Sequence, residues 1–149
     1  MARETSPEVL VLDTNIALDV FVFQDPAADA LRSAMEAGHT RWIATDAMRD
    51  ELQRVLDYPH IARRLQALAR PAQTVLAAFD QRVTRVATAP RAPYACKDAD
   101  DQKFIDLAVA HQATLASKDA AVLCMARRLA RVGVRVCRQW TPRPETVAA

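Results

Sequence analysis

The stretch Val9-Leu10-Val11-Leu12-Asp13-Thr14-Asn15 decides the fold. Four consecutive apolar residues, mostly branched, run into an aspartate and two small polar residues. Alternating polarity would mark a strand with one wet face. An unbroken apolar run suits a strand covered on both faces, as in a parallel sheet. In open parallel α/β sheets, ligands bind outside the carboxyl ends of the strands, which is where Asp13 stands. Asp13 and Asn15 are equally suited to an Asx turn or a helix cap, so this stretch alone leaves both readings open.

Outward from it, strands and helices alternate. A strand over 9–13 is followed by a helix over 14–22. Asp25-Pro26 has the form of an N-cap and first-turn proline, opening a helix that closes near Gly38. Trp42-Ile43-Ala44 reads as a second strand, and Thr45 caps a helix reaching Leu56. Helices are expected over 61–70 and 71–79, then a strand over 83–86. Ala89-Pro90-Arg91-Ala92-Pro93 is an extended loop, too rich in proline for a helix or central strand. A helix over 99–112, a strand over 114–117, a helix over 119–131 closed by Gly133 and a last strand over 134–137 complete the pattern. Residues 1–8 read as a polar lead-in and 141–149 as a loose tail. The expectation is a single domain over 1–149, built as a three-layer α/β sandwich on a mostly parallel sheet.

Composition narrows the function. With 149 residues, 51% hydrophobic and 26% charged, the chain is long enough for a substantial core and is not disordered. No apolar segment has the length of a membrane span, and the N-terminus has no signal-peptide core. Cys96, Cys124 and Cys137 form no C-x-x-C pair and read as free thiols of a cytoplasmic protein. Gly38 and Gly133 are the only glycines, which excludes a P-loop and a dinucleotide fingerprint. The net charge of +2 does not by itself mark a nucleic-acid binder. Lys97, Lys103 and Lys118 are the only lysines, and the resulting arginine bias suits phosphate but follows from genome composition as readily.

Acidic residues carry the chemistry. Glu51 lies three residues after Met48 and four before Val55, within an apolar helical stripe. A carboxylate there needs a partner, with Arg54 as the nearest structural one, or a cation. In Lys97-Asp98-Ala99-Asp100-Asp101-Gln102-Lys103-Phe104-Ile105, helical spacing puts Asp98 and Asp101 on one face and Asp100 on another. Asp101 then faces the sheet, and Asp100 is left as the cap or surface residue. Thr114-Leu115-Ala116-Ser117-Lys118-Asp119 repeats the opening theme, an apolar strand ending in an aspartate. Each aspartate taken alone reads as a cap that complements the helix dipole. Parallel strands put their ends on one edge, however, so Asp13, Glu51, Asp101 and Asp119 can converge. Carboxylates that close require a cation, and an all-oxygen pocket suits Mg²⁺ or Mn²⁺. Metal-assisted phosphodiester hydrolysis is the chemistry expected of it. His39, His60 and His111 have no metal-ligand spacing, and there is no G-x-S-x-G elbow. Cys96 beside Lys97 has no identifiable partner.

Taken in order, Leu12-Asp13-Thr14-Asn15, Glu51-Leu-x-x-Val-Leu, Asp98-Ala-Asp100-Asp101-Gln-Lys-Phe and Ser117-Lys118-Asp119 resemble the PIN-domain family. The resemblance is to its small bacterial branch of toxin components of toxin–antitoxin pairs, the VapC-like ribonucleases, and covers about residues 8–137. It implies a PIN-like, five-stranded parallel sheet flanked by helices, and Mg²⁺- or Mn²⁺-dependent cleavage of single-stranded RNA. By that resemblance Asp13, Asp101 and Asp119 hold metal, and Glu51 completes the acidic pocket. Thr14, Asn15 and Ser117 support it by hydrogen bonds, and Asp98 is an additional acidic member. Lys118 departs from the family, which frequently has glycine before the last aspartate; a lysine there either contacts substrate phosphate or dulls the metal site. The implied reaction is attack of water on phosphorus, leaving a 5′-phosphate and a 3′-hydroxyl. An antitoxin protein and a homodimer are the implied partners.

Two other readings compete. A catalytically weak or inactive PIN-fold module that binds RNA or protein would keep the fold and lose the chemistry. Phosphoryl transfer of the haloacid dehalogenase kind needs an aspartate two residues after the first, and Asn15 stands there.

Overall fold

The computed structural model describes residues 6–142. The expectations for 1–5 and for the tail beyond 142 lie outside them. A five-stranded sheet forms the centre, in the order β3-β2-β1-β4-β5, with all four pairings parallel. Its strands are β1 (Glu8–Leu12), β2 (Thr40–Ala44), β3 (Val83–Arg85), β4 (Thr114–Ala116) and β5 (Val136–Cys137). The sheet is thus wholly parallel, which fits the near-absence of polar positions in β1 and β4.

β1 is the middle strand. Leu10 pairs with Trp42 on one side and Thr114 on the other, and Leu10 and Val11 are fully buried. Truncating such a leucine to alanine costs about 2–5 kcal/mol, because both covering layers lose contacts. Parallel neighbours require long crossovers, and these place helices against the sheet. The crossovers hold α1 (Thr14–Leu18), α2 (Asp29–Glu36), α3 (Asp46–Leu56), α4 (Pro59–Ala67), α5 (Ala72–Arg82) and α6 (Gln102–His111). Two short helices, α7 (Ala120–Leu123) and α8 (Ala126–Ala130), lie between β4 and β5. Trp42 ties three elements together, stacking on Phe21 at 5.6 Å and meeting Phe79 edge-on at 5.1 Å. The chain winds from β1 through β2 to β3, then crosses to β4 on the opposite side of β1. That reversal leaves a crevice beyond the ends of β1 and β4.

Several expected elements are reshaped. The helix after Asp13 changes to a π-helical segment at Asp19–Phe23 and stops at Gln24, which has φ 48°. The helix expected over 61–70 begins at Pro59 and ends at Ala67, closed by Ala69 at φ 51° with Arg70 N–H donating to Leu65 O. The helix expected over 119–131 is two, because the Met125 N–H bonds to Val122 O in an i→i+3 turn. This tightening keeps Val122, Met125 and Leu129 all buried on one side. Gly133, at φ 81°, closes α8, with Val134 N–H donating to Leu129 O. Among the described residues no helix is long and apolar enough to cross a membrane.

Candidate active site

Pairing of Leu12 with Ala116 brings Asp13 and Ser117 to adjacent strand ends. The Asp13 N–H continues the ladder to Ala116 O at 2.9 Å. Fully buried Ser117 donates its hydroxyl to Asp13 Oδ2 at 2.6 Å and accepts from the Asp119 N–H at 3.0 Å. One serine thus orients two carboxylates. Asp119 caps α7, its Oδ1 accepting from the Ala121 N–H at 2.9 Å. The third carboxylate comes from a 3₁₀ turn at Ala99–Asp101, which leads into α6 against β1 and β4. Asp101 is buried, and its Oδ2 has no hydrogen-bond partner among the described residues.

Oxygens of Asp13, Asp101 and Asp119 lie within 4.8 Å of one another. Burial pushes the Asp13 carboxyl above its ordinary range, against the pull of the Ser117 hydroxyl and the Thr14 N–H, and Glu51 and Asp119 add to the rise. Asp101 is pushed up to about 8, first by burial, then by the Asp119 carboxyl beside it and the charge of Asp13. Three carboxylates so placed do not ionise together without a cation. An orphaned buried oxygen and an all-oxygen donor set fit a hard divalent ion. Asp13, Asp101 and Asp119 are the residues that would hold it.

Glu51, expected as a fourth ligand, lies outside this group of oxygens. Thr14 donates its hydroxyl to Glu51 Oε2, and the Lys103 ammonium sits 2.7 Å from Oε1. Lys103, not Arg54, is therefore its cationic partner, and the Glu51 charge still reaches Asp13. Asp98 is exposed and caps the 3₁₀ turn, accepting from the Asp100 N–H at 3.0 Å. Of the two roles that helical spacing left to Asp100, cap or surface residue, the cap thus falls to Asp98. Asp100 is exposed, with its carbonyl accepting from Lys103 at 2.5 Å.

Asn15 spans the two strand ends, its Nδ2 lying 3.5 Å from Asp13 Oδ2 and its Oδ1 accepting from the Lys118 N–H at 3.3 Å. The Lys118 ammonium pairs with buried Asp19 at 2.7 Å. His39, His60 and His111 are all exposed.

Sequence reasoning missed Lys103 and Asp19. Asp19 had a visible signal, an acidic residue inside the apolar run from Ile16 to Phe23. A pair of residues beyond the turn was missed as well. Gln102 accepts from the Cys96 N–H at 2.6 Å and donates to Tyr94 O and Asp106 Oδ1, while Asp106 accepts from the Ala92 N–H at 2.9 Å. Together they staple the proline-rich loop to α6.

The sequence model of the PIN domain matches residues 9–116. A chain in the crystal structure of VapBC2 from Rickettsia felis, bound to a DNA fragment from their promoter, superposes with a TM-score of 0.59 at 14% identity. The match covers 86% of this chain and 98% of that one. At that identity the likeness is one of fold. Comparison with curated proteins gave no match.

Proposed function

The chain belongs to the PIN-domain family, and from that premise we propose that it is a metal-dependent endoribonuclease, the toxin of a toxin–antitoxin pair. PIN domains are generally nucleases; the RNA substrate, the Mg²⁺ or Mn²⁺ cofactor and the toxin role are the finer parts of the proposal. The observation that carries it is the convergence of Asp13, Asp101 and Asp119 within 4.8 Å, with the buried Asp101 Oδ2 left unpartnered. When bound there, a divalent cation supplies Lewis acidity toward a phosphodiester and a readily deprotonated water.

The chain's own residues do the rest. Ser117 and Asn15 fix the Asp13 carboxylate, and Ser117 sets the start of α7 so that Asp119 faces the same crevice. Glu51, held by Thr14 and Lys103, adds negative charge beside Asp13 and assists in orienting the attacking water. Asp98 adds to the acidic field while capping its turn. Arg138 follows β5 at the same sheet edge, is exposed, and has no ion pair among the described residues, which suits a polyanionic strand. The fold shared with a chain of a VapBC2 complex supports an antitoxin partner. A homodimer in the cytoplasm, with one catalytic domain over about 8–137, completes the reading.

The test is cleavage of a pool of labelled single-stranded and structured RNAs by wild type and Asp13→Asn, with Mg²⁺, Mn²⁺ or EDTA. Cleavage that needs both metal and Asp13 is expected. RNA binding without cleavage in any metal would replace this reading with the inactive binding module. Cleavage that survives EDTA and the substitution would overturn the site assignment.

A further inference from the structure

Cys96 lies just before the turn that carries Asp98 and Asp101, and Cys124 lies just after α7, which opens at Asp119. Their thiols converge on one atom. Cys96 Sγ donates to Ala121 O at 3.5 Å, and Cys124 Sγ donates to the same oxygen at 3.3 Å. Two sulfurs on one acceptor oxygen are close neighbours, the first requirement of a disulfide pair. Gln102 holds the Cys96 backbone in place, and Cys124 is exposed where a small reagent can reach it. Both cysteines are reduced in this structure.

We propose that Cys96 and Cys124 form a disulfide-bonding site, and that a small-molecule disulfide closes it and locks together the segments bearing Asp101 and Asp119. The exposed Cys124 gives up its proton and attacks one sulfur of the small disulfide, whose S–S bond breaks and releases one thiolate. Cys96 then loses its proton and attacks Cys124 Sγ, displacing the second thiolate. Two protein thiols are oxidised to one disulfide, and the small disulfide is reduced to two thiols that take up the two protons. The closed loop contains the 3₁₀ turn, α6, β4 and the whole of α7, so the bond restrains local opening around two of the three clustered carboxylates. This inference stands on the thiol geometry alone and does not depend on metal binding or RNA cleavage.

The experiment treats the full chain with oxidised glutathione and maps disulfides by mass spectrometry of unreduced peptides. Amide hydrogen exchange is compared with the dithiothreitol-reduced protein. A Cys96–Cys124 linkage is expected, with exchange over 96–101 and 119–124 slowed about tenfold. Cys124→Ser should abolish both effects while matching the reduced wild type in exchange. A linkage through Cys137, mixed disulfides alone, or a Cys96–Cys124 bond with unchanged exchange would each overturn the proposal.

Discussion

Ser117 and Asp13 are 104 residues apart in sequence and share a 2.6 Å hydrogen bond at the ends of adjacent strands. The Ser117 hydroxyl also accepts the Asp119 N–H, so one buried oxygen sets the spacing of two carboxylates. In Ser117→Ala the Asp13 carboxylate loses a donor inside a buried site. Unfolding by denaturant should show a loss of about 1–3 kcal/mol. Mn²⁺ affinity measured by calorimetry should fall in the same variant, because Asp13 becomes harder to ionise. Unchanged affinity would remove Ser117 from the site's support.

Asp101 makes metal-free stability fall as pH rises. Its carboxyl is held up to about 8 in the folded chain against an ordinary value of 3.8. Between those values the folded state keeps a proton that the unfolded state has released, so stability present below about pH 4 is lost progressively toward pH 8. Denaturation curves in EDTA should show this decline, and Asp101→Asn should flatten it. A wild-type profile without slope in that window would refute the assignment.

A bound cation should reverse the dependence. It competes with the Asp101 proton, so Mn²⁺ affinity should climb from pH 5 to pH 8 and binding should release a proton. Calorimetry in buffers of different ionisation enthalpy measures that release directly. Affinity independent of pH would show that the ion sits elsewhere.

Lys103 neutralises Glu51 next to the cluster. Removing that positive charge in Lys103→Met leaves more negative field at Asp13. Mn²⁺ should bind several-fold more tightly while the protein loses roughly 1 kcal/mol, in line with a partly exposed ion pair. Weaker binding would mean that Lys103 acts by holding Glu51 in place.

Gln102 holds the segment that follows the proline-rich loop, accepting from the Cys96 N–H and donating to Tyr94 O. Gln102→Ala should cost about 1–3 kcal/mol and loosen the segment before Asp98. Hydrogen exchange at 94–98 should accelerate; an unchanged rate would show that Asp106 suffices to anchor the loop.

The strands and their sense were legible because, after Glu8 and Thr114, β1 and β4 run on in apolar residues to their ends, a pattern that suits a doubly covered strand. The strand-end aspartates followed from the same reading. The spacing left Asp100 as either cap or surface residue because it assumed α-helical geometry; the chain there is a 3₁₀ turn, in which Asp98 is the cap and Asp100 lies on the surface. The partners of Glu51 and Lys118 were missed for another reason. Helical neighbours such as Arg54 can be counted along the sequence, but Lys103 and Asp19 arrive by tertiary packing, which no local spacing encodes.

The wide separation of the paired strands β1 and β4 also governs when the acidic centre can exist during synthesis. Of the three clustered carboxylates the first half of the chain contributes Asp13 alone, and only its neighbours Thr14 and Asn15 hold it until Ser117 arrives beside it. A nascent or prematurely terminated chain that lacks β4 is therefore without this centre. The ribosome must deliver the chain past Asp119 before the three carboxylates can meet.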